Sequence, residues 1–200
     1  MTEVVFEPFP KMGRLTRECL ITEKIDGTNA QIIITDDGRI VAGSCTRLIT
    51  PDDDNYGFAR WVEEHKSELL ALGPGRHFGE WWGQKIQRAY GLTEKRFSLF
   101  NVSRWCASDA IPKCVNKNDP NPKKILKYQT PVPLCCSVVP ELYCGLFGER
   151  IIDNMLEMLR VRGSVAAPGF MNPEGVVIFH TATGTMFKKT LENDCPKGSA

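Results

Sequence analysis

Residues 18–29 read Glu-Cys-Leu-Ile-Thr-Glu-Lys-Ile-Asp-Gly-Thr-Asn, and this stretch determines how the rest of the chain is interpreted. Its first seven residues are rich in apolar and β-branched side chains, so they predict a strand that ends at Lys24. Asp26 and Gly27 then predict a tight turn. A lysine at the end of an apolar strand is held in one place and directed at whatever occupies the turn. Lys24 is therefore a candidate nucleophile; the alternative is an ordinary surface lysine before an Asp-Gly turn.

The sequence around this stretch alternates between strand patterns and two helical ones. Helical spacing of apolar residues predicts helices over 55–72 and 149–162, the second of which stops at Gly163. Extended, β-rich runs predict the strands, which lie at 30–35, 39–43, 76–83, 96–105, 135–139 and 173–192, the last being a hairpin. Antiparallel strands with about two helices indicate an α+β domain.

Composition excludes several classes of protein. The 200 residues suit a single domain, 1–200, with no room for an appended C-terminal nucleic-acid-binding domain. A net charge of +1 excludes a globally basic coat protein, so any basic surface is local. One local candidate is a lysine-rich loop at about 106–130, which is either a solvated loop or a phosphate-contacting patch. No apolar run is long enough to span a bilayer, so no membrane association is expected.

The eight cysteines have neither the spacing of a zinc site nor an export signal before them. In a chain of this kind, reduced thiols in the cytoplasm are the simpler interpretation. We therefore expect a cytoplasmic protein.

Six short motifs occur in a fixed order along the chain. The first, Lys24-x-Asp26-Gly27-x-Asn29, resembles the nucleophile motif of the covalent nucleotidyltransferases, the superfamily of ATP-dependent ligases and messenger-RNA capping enzymes. The other five resemble the motifs that follow it in that superfamily; they are Ser44–Arg47, Phe78–Gly83, Phe97–Phe100, Pro173–Val177 and Phe187–Lys189. Six matches in order are far more specific than any one of them. Asn29 is similar to the RNA-ligase branch, because DNA ligases and capping enzymes usually carry arginine there.

The resemblance implies a fold and a reaction. The implied fold is the adenylation-domain fold of these enzymes, with two antiparallel sheets flanked by helices and the nucleotide pocket between them. The implied reaction is ATP-dependent RNA ligation with magnesium, or manganese in its place. A lysyl-AMP intermediate would pass its AMP to a 5′-phosphate, and a 3′-hydroxyl would then seal the strand. The implied partners are RNA ends, including those of a nicked duplex, and a separate nucleic-acid-binding or repair protein.

The resemblance also assigns three residues to the chemistry. Lys24 would attack the α-phosphorus of ATP, Lys188 would contact the α-phosphate, and Glu174 would hold the metal ion or its water shell. Period-two alternation places Lys189 on the opposite strand face from Lys188, so no role is assigned to it.

Five further residues would bind the nucleotide or the RNA end. Glu80 would accept hydrogen bonds from the ribose hydroxyls, and Phe100 would stack on adenine. Glu23 would offer its backbone to the adenine edge. Asn29 and Arg47 would hold a phosphate or the attacking 3′-hydroxyl, since a guanidinium fork suits phosphate.

Three other functions stay open on the sequence alone. The chain could be a capping-type guanylyltransferase that uses GTP. It could be a non-catalytic domain that binds ATP or RNA ends. It could also be a ligase that accepts only DNA.

Overall fold

The computed structural model describes residues 5–10, 12–107 and 129–192. Its strands are β1 Glu18–Lys24, β2 Thr28–Ile34, β3 Ile40–Ser44, β4 Leu48–Ile49, β5 Gly75–Gly83, β6 Lys95–Leu99, β7 Trp105–Cys106, β8 Thr130–Pro131, β9 Cys136–Val138, β10 Glu141–Leu146, β11 Gly175–His180 and β12 Thr185–Thr190. Its α-helices are α1 Phe58–Glu64, α2 Lys66–Leu69 and α3 Glu149–Arg162, and two 3₁₀ turns cover Leu70–Leu72 and Ala89–Gly91. The described residues therefore form the α+β class that the sequence predicts.

Strand β1, which ends at Lys24, lies inside a four-stranded sheet that we call the small sheet. Its order is β10-β1-β11-β12, and each neighbouring pair is antiparallel. One face of β1 is buried against α3, where Ile21 packs with Leu156 and Leu159. Burial of such side chains contributes about 2 kcal/mol each, so this contact holds β1 firmly. The opposite face of β1 is left for the interior of the molecule.

A second, larger sheet carries the other motifs. Its order is β4-β3-β2-β5-β6-β9, which we call the large sheet. Helix α1 covers one face, and Phe58 from that helix packs against Trp81 and Phe97 with ring centroids 5.3 and 5.1 Å apart. Each sheet therefore has a helix on its outer side.

Antiparallel pairing, which the sequence leads us to expect for most strands and in both sheets, fails at two places. β6 and β9 pair in parallel at one edge of the large sheet, and β7 and β8 form a separate two-stranded parallel pair. Parallel pairing needs a crossover of a dozen residues or more, and the long connection after β6 supplies it. Most of the predicted basic loop at 106–130 lies outside the described residues.

Two predicted elements have different bounds in the structure, and one strand beside β1 was not predicted. The helix expected over 55–72 is interrupted at His65, whose φ of −107° and ψ of 15° are not helical. The single strand expected over 96–105 is two strands, β6 and β7, separated by a turn. β10 was not predicted, although it lies directly beside β1. The helix over 149–162 is confirmed, and the hairpin expected over 173–192 is present as β11 and β12, which begin and end two residues inside those bounds.

The two sheets meet through a shared apolar cluster. Leu20 and Ile25 from the β1 side pack with Trp82 and Tyr90 from the β5 side. Leu20 and Ile25 of this cluster also line a cleft between the sheets. In the described ranges, no helix has the length and apolar character that crossing a membrane requires.

Candidate active site

The inner face of the small sheet is organised in rows that run across its strands. Pairing aligns Thr22 of β1 with Val177 of β11, and Val177 with Lys188 of β12. The same register places Lys24 opposite Gly175. Because side chains two residues apart share a face, Thr22 and Lys24 both face the cleft. The pairing thus brings residues from both ends of the chain to one surface.

Lys24 forms an ion pair with Glu174 at the end of this surface. Its Nζ donates to Glu174 Oε2 at 2.7 Å, and the two side chains are 23% and 17% exposed. The backbone is tightly packed here, because a Cβ on Gly175 would lie 2.3 Å from the Lys189 carbonyl oxygen. Only glycine therefore fits after Glu174, and the Glu-Gly pair holds the carboxylate beside the lysine.

The turn after Lys24 is anchored to the large sheet by Glu80. The Gly27 N–H donates to Glu80 Oε1 at 3.1 Å, and a Cβ on Gly27 would lie 2.5 Å from the Trp81 carbonyl oxygen. Burial raises the pKa of Glu80 to about 7, against the lowering effect of the Lys24 ammonium and of the Gly27 N–H. Glu80 is therefore an unusual carboxyl, close to half-protonated at neutral pH.

Tyr90 and Arg88, which the sequence pattern does not identify, hold Asp26 in place. The Asp26 N–H donates to Tyr90 Oη at 2.8 Å, and Arg88 Nε donates to Asp26 Oδ2 at 3.0 Å. Arg88 Nη1 also donates to the Asn172 carbonyl oxygen at 3.1 Å, two residues before Glu174. Arg88 thus links the turn after Lys24 to the segment that carries Glu174. Nothing in the sequence pattern marks Arg88 or Tyr90.

The segment that carries these two residues has a strained backbone. Lys85, Gln87, Ala89 and Tyr90 all have φ between 46° and 59°, although none is glycine. Such conformations cost of order 1 kcal/mol or more each and persist only where surrounding contacts enforce them. The hydrogen bonds of Arg88 and Tyr90 to Asp26, in the turn after Lys24, are contacts of that kind.

A cavity of about 530 Å³ lies between the sheets at this point. Six of the eight predicted site residues line it, namely Glu23, Lys24, Asn29, Glu80, Phe100 and Lys188. A seventh, Glu174, is joined to it through the ion pair with Lys24. The volume is within the usual range for ligand pockets.

Arg47 is the one predicted residue that the structure does not bring to the cavity. Its guanidinium forms an ion pair with Asp53, with Nη2 donating to Oδ1 at 2.9 Å, and its side chain is 45% exposed. The Arg47 side chain is therefore held by a surface carboxylate in this structure.

The sequence analysis gives a role only to the backbone of Glu23, and the structure shows what its buried side chain binds. Its carboxylate accepts hydrogen bonds from Ser164 Oγ at 2.6 Å and from the N–H groups of Val165 and Ala166 at 2.8 and 2.9 Å. Burial raises the pKa of Glu23 in spite of these bonds. The side chain thus fixes the segment after α3, and only its backbone is left to face a ligand.

Lys188 and Lys189 point in different directions, as alternation predicts. Lys188 lines the cavity, and no carboxylate in the described part of the chain pairs with it. Lys189 Nζ donates to Asp153 Oδ1 of α3 at 2.8 Å. An unpaired cation in a cavity that also contains Lys24 favours an anionic ligand.

The carboxylates around Lys24 determine which metal ions the site suits. Across the described ranges, no three His, Cys, Asp or Glu side chains converge as a complete metal site. Magnesium does not need one, because it is commonly held by one or two carboxylates, water and substrate phosphates. Glu174 and Asp26 are close enough to Glu80 to raise its pKa, so three carboxyl groups of the kind that magnesium binds lie near one another.

Comparison with known proteins identifies a family by sequence and a shared fold by structure. A family model described as RNA ligase matches residues 17–190. A solved structure of a Naegleria gruberi RNA ligase mutant with ATP and Mn has a TM-score of 0.58 and 18% identity over 89% of this chain and 51% of that one. A mutant of the same ligase with AMP and Mn gives 0.56 and 18% over 88% and 50%. An apo mutant gives 0.55 and 17% over 89% and 50%.

These structural matches show a shared fold, and the chain spans about half the length of that Naegleria protein. No curated protein sequence matches the chain.

Proposed function

The chain belongs to the RNA ligase family, and from that premise we propose that it is an ATP-dependent RNA ligase that works through a covalent lysyl-AMP intermediate. The observation that carries the proposal is the meeting of Lys24, Glu174 and Lys188 at one cavity between the two sheets. The Naegleria ligase, which has been solved with ATP and Mn, supports ATP and a divalent cation as cofactors. The finer description of the fold, as the nucleotidyltransferase adenylation fold, is part of the same proposal.

In the first step, Lys24 Nζ attacks the α-phosphorus of ATP. The N–P bond forms as the bond to pyrophosphate breaks. The ammonium gives up one proton before the attack and a second as the phosphoramidate forms; both go to water, and the nitrogen keeps one N–H. In the free site Lys24 Nζ donates to the Glu174 carboxylate, so this contact must break before the amine attacks. Lys188 is placed to neutralise charge on the α-phosphate, which is how phosphoryl-transfer sites accelerate the reaction.

Glu174 is the residue that would hold a magnesium or manganese ion. When bound, such an ion neutralises charge on the phosphates. The carboxylate is only 17% exposed and already lies beside the attacking amine. A ligand at Glu174 is therefore next to the reacting atoms without any change in the backbone.

The nucleoside would lie against the large sheet. Phe100 lines the cavity and would stack on adenine, while the backbone of Glu23 would meet the adenine edge. Glu80 would accept from the ribose hydroxyls in its ionised form. Asn29, which pairs in register with Glu80, would contact a phosphate or the 3′-hydroxyl. Arg47 would join them only after it leaves Asp53.

In the later steps, AMP moves from Lys24 to the 5′-phosphate of an RNA, and a 3′-hydroxyl displaces it. The substrates would be RNA ends, including those at a nick. A separate nucleic-acid-binding or repair protein would be a partner. The enzyme would act in the cytoplasm, where thiols such as the six free cysteines of the described residues stay reduced.

Intact mass measurement after incubation with magnesium and either ATP or GTP tests this proposal. We expect a gain of one AMP from ATP only, which Lys24→Ala abolishes and the matched variant Lys189→Ala keeps. A gain of GMP would instead identify a capping-type guanylyltransferase. Nucleotide binding without any adduct would identify a non-catalytic domain.

A second assay defines the nucleic acid. Nicked duplexes with either RNA or DNA on the 3′-hydroxyl side should be sealed faster with RNA. Sealing of the DNA strand alone would contradict the RNA part of the proposal.

A further inference from the structure

The cleft between the sheets contains a second cavity, of about 590 Å³, beside the first. We call the first the inner chamber and the second the outer chamber. Four side chains line both, namely Leu20, Phe100, Phe179 and Met186. The two chambers are therefore neighbouring parts of one cleft.

Strand register explains why the chambers are adjacent. The row Thr22, Val177, Lys188 forms the small-sheet wall of the inner chamber, and the next row along the same strands is Leu20, Phe179, Met186. Adjacent rows are two residues apart, which is about 7 Å along a strand.

The large-sheet wall follows the same rule. Phe78 lies two residues before Glu80 on β5, so both side chains face the cleft. Phe78 lines only the outer chamber, and Glu80 only the inner one. The outer chamber thus extends the cleft away from Lys24 by one row on each sheet.

The outer chamber exposes aromatic rings that have no partner ring. Phe78 is 53% exposed and Phe100 is 37% exposed, whereas most large apolar side chains of the sheets are buried. Neither ring stacks on another aromatic side chain in the described part of the chain. Exposed rings at the edge of a nucleotide site are the platforms on which proteins stack nucleobases.

Two arginines give the outer chamber a positive charge. Arg76 Nη1 donates to Gln31 Oε1 at 3.1 Å, and Arg104 Nη2 donates to the Leu72 carbonyl oxygen at 3.0 Å, so both partners are neutral. Over the described ranges, no carboxylate forms an ion pair with either guanidinium. The charge is left for an anionic ligand, and a phosphodiester is the anion that accompanies a nucleobase.

We propose that the outer chamber binds a nucleotide of the RNA strand near the end being joined, with its base on Phe78 and its backbone phosphate at Arg76 and Arg104. The inference rests on the proposed function, since it takes RNA to be the strand that reaches the inner chamber. Phe100 then forms the wall between adenine on one side and the RNA nucleotide on the other.

Separate measurement of adenylation and RNA binding tests this site. Phe78→Ala and Arg76→Ala are compared with Leu70→Ala and Arg39→Ala, which remove an exposed apolar side chain and an exposed arginine outside the cleft. Phe78→Ala should weaken binding of a 5′-phosphorylated oligonucleotide by about 10-fold, within the range measured for loss of one base stack. Arg76→Ala should weaken it by a smaller factor and reduce its salt dependence. Both should form lysyl-AMP at the wild-type rate.

A crosslinking experiment locates the nucleotide directly. A 5′-phosphorylated RNA with 4-thiouridine near its end should crosslink to a peptide that contains Phe78 or Phe100. An oligonucleotide that binds the two cleft variants as tightly as wild type would overturn the proposal. So would a Phe78→Ala variant that loses adenylation instead of RNA binding, because the chamber would then belong to the ATP site.

Failure of the proposed function has a different signature. Wild-type protein that forms no adduct with ATP would refute the ligase mechanism, while the oligonucleotide affinity and the crosslink would still decide whether the outer chamber binds RNA.

Discussion

The two sheets divide the work of the site between them. The small sheet and its flanking loop bring together Lys24, Glu174 and Lys188, the charged groups that we propose to act on the phosphates. The large sheet supplies Glu80 and Phe100, which suit a nucleoside. Each of these groups lies on a strand or directly beside the end of one, and each sheet packs against its own core. What makes them one site is the contact between the sheets.

The two glutamates of the cavity show the same division. Glu174 is paired with Lys24 at 2.7 Å and remains partly exposed. Glu80 is 6% exposed, has only a backbone N–H as partner, and has a pKa raised to about 7. One carboxylate is therefore an anion that a cation can reach, and the other switches its charge near neutral pH.

The largest effect is expected at the small-sheet glutamate. Glu174→Gln keeps the shape of the side chain but removes its charge, so adenylation should slow by about 100-fold, as for loss of a metal ligand or a charge-stabilising group. The rate of AMP adduct formation measures this. Glu157→Gln, on the exposed side of α3, is the matched control and should leave the rate unchanged. Equal rates for the two variants would mean that Glu174 only positions Lys24.

The large-sheet glutamate should affect stability instead. Because the pKa of Glu80 is raised to about 7 from 4.5, its protonated form favours the folded state below pH 4.5, and that stabilisation is lost as the pH rises through 7. The free energy of unfolding of the wild type should thus fall by about 3 kcal/mol more than that of Glu80→Gln between pH 4.5 and 8. Denaturant titrations at several pH values measure it. Parallel pH profiles for the two proteins would contradict this.

Breaking the link between the turn after Lys24 and the segment that carries Glu174 should have an intermediate effect. Arg88 binds both Asp26 and the Asn172 carbonyl, so Arg88→Ala should slow adenylation by about 10-fold, as for other residues that orient a site without contacting the reacting atoms. ATP affinity should change little, because Arg88 does not line the cavity. Single-turnover rates at saturating ATP separate the two. Arg88→Lys should restore part of the rate, whereas a purely structural defect would lower ATP affinity as well.

The smallest effect is expected from the lysine that faces away from the cleft. Lys189→Ala removes an exposed ion pair with Asp153 and should cost less than about 1 kcal/mol of stability. Its rate of adenylation should stay within a factor of two of wild type. Lys188→Ala, one residue earlier, should lower that rate strongly. Thermal unfolding and adduct formation are measured on both variants. A strongly lowered rate in Lys189→Ala with a normal rate in Lys188→Ala would show that the two lysines have the opposite roles.

Much of the fold and the family could be predicted from local pattern. β1 and the turn after it, α3 and the closing hairpin follow from apolar spacing and turn residues, and the structure confirms them. β10 was missed because its residues are only half-buried and lack a clear alternation. The parallel pairing of β9 with β6 could not be predicted, because it depends on where a long connection returns.

Residue types and their order along the chain identified Lys24, Glu80 and Glu174 as candidates and the RNA ligase family as their source, since the lysine and the two carboxylates occur in short motifs that local chemistry makes recognisable. Tertiary structure alone decided that Glu174 pairs with Lys24, that Arg88 and Tyr90 hold the turn, and that Arg47 pairs with Asp53 on the surface. It also decided that a second chamber adjoins the first. Contacts such as Lys24–Glu174, 150 positions apart, and Asp26–Arg88, 62 positions apart, depend on which strands lie side by side and on how far apart the two sheets stand, so they leave no pattern in a single sequence. Arg47 and Asp53 are six positions apart, but how the chain turns between them decides that their side chains meet.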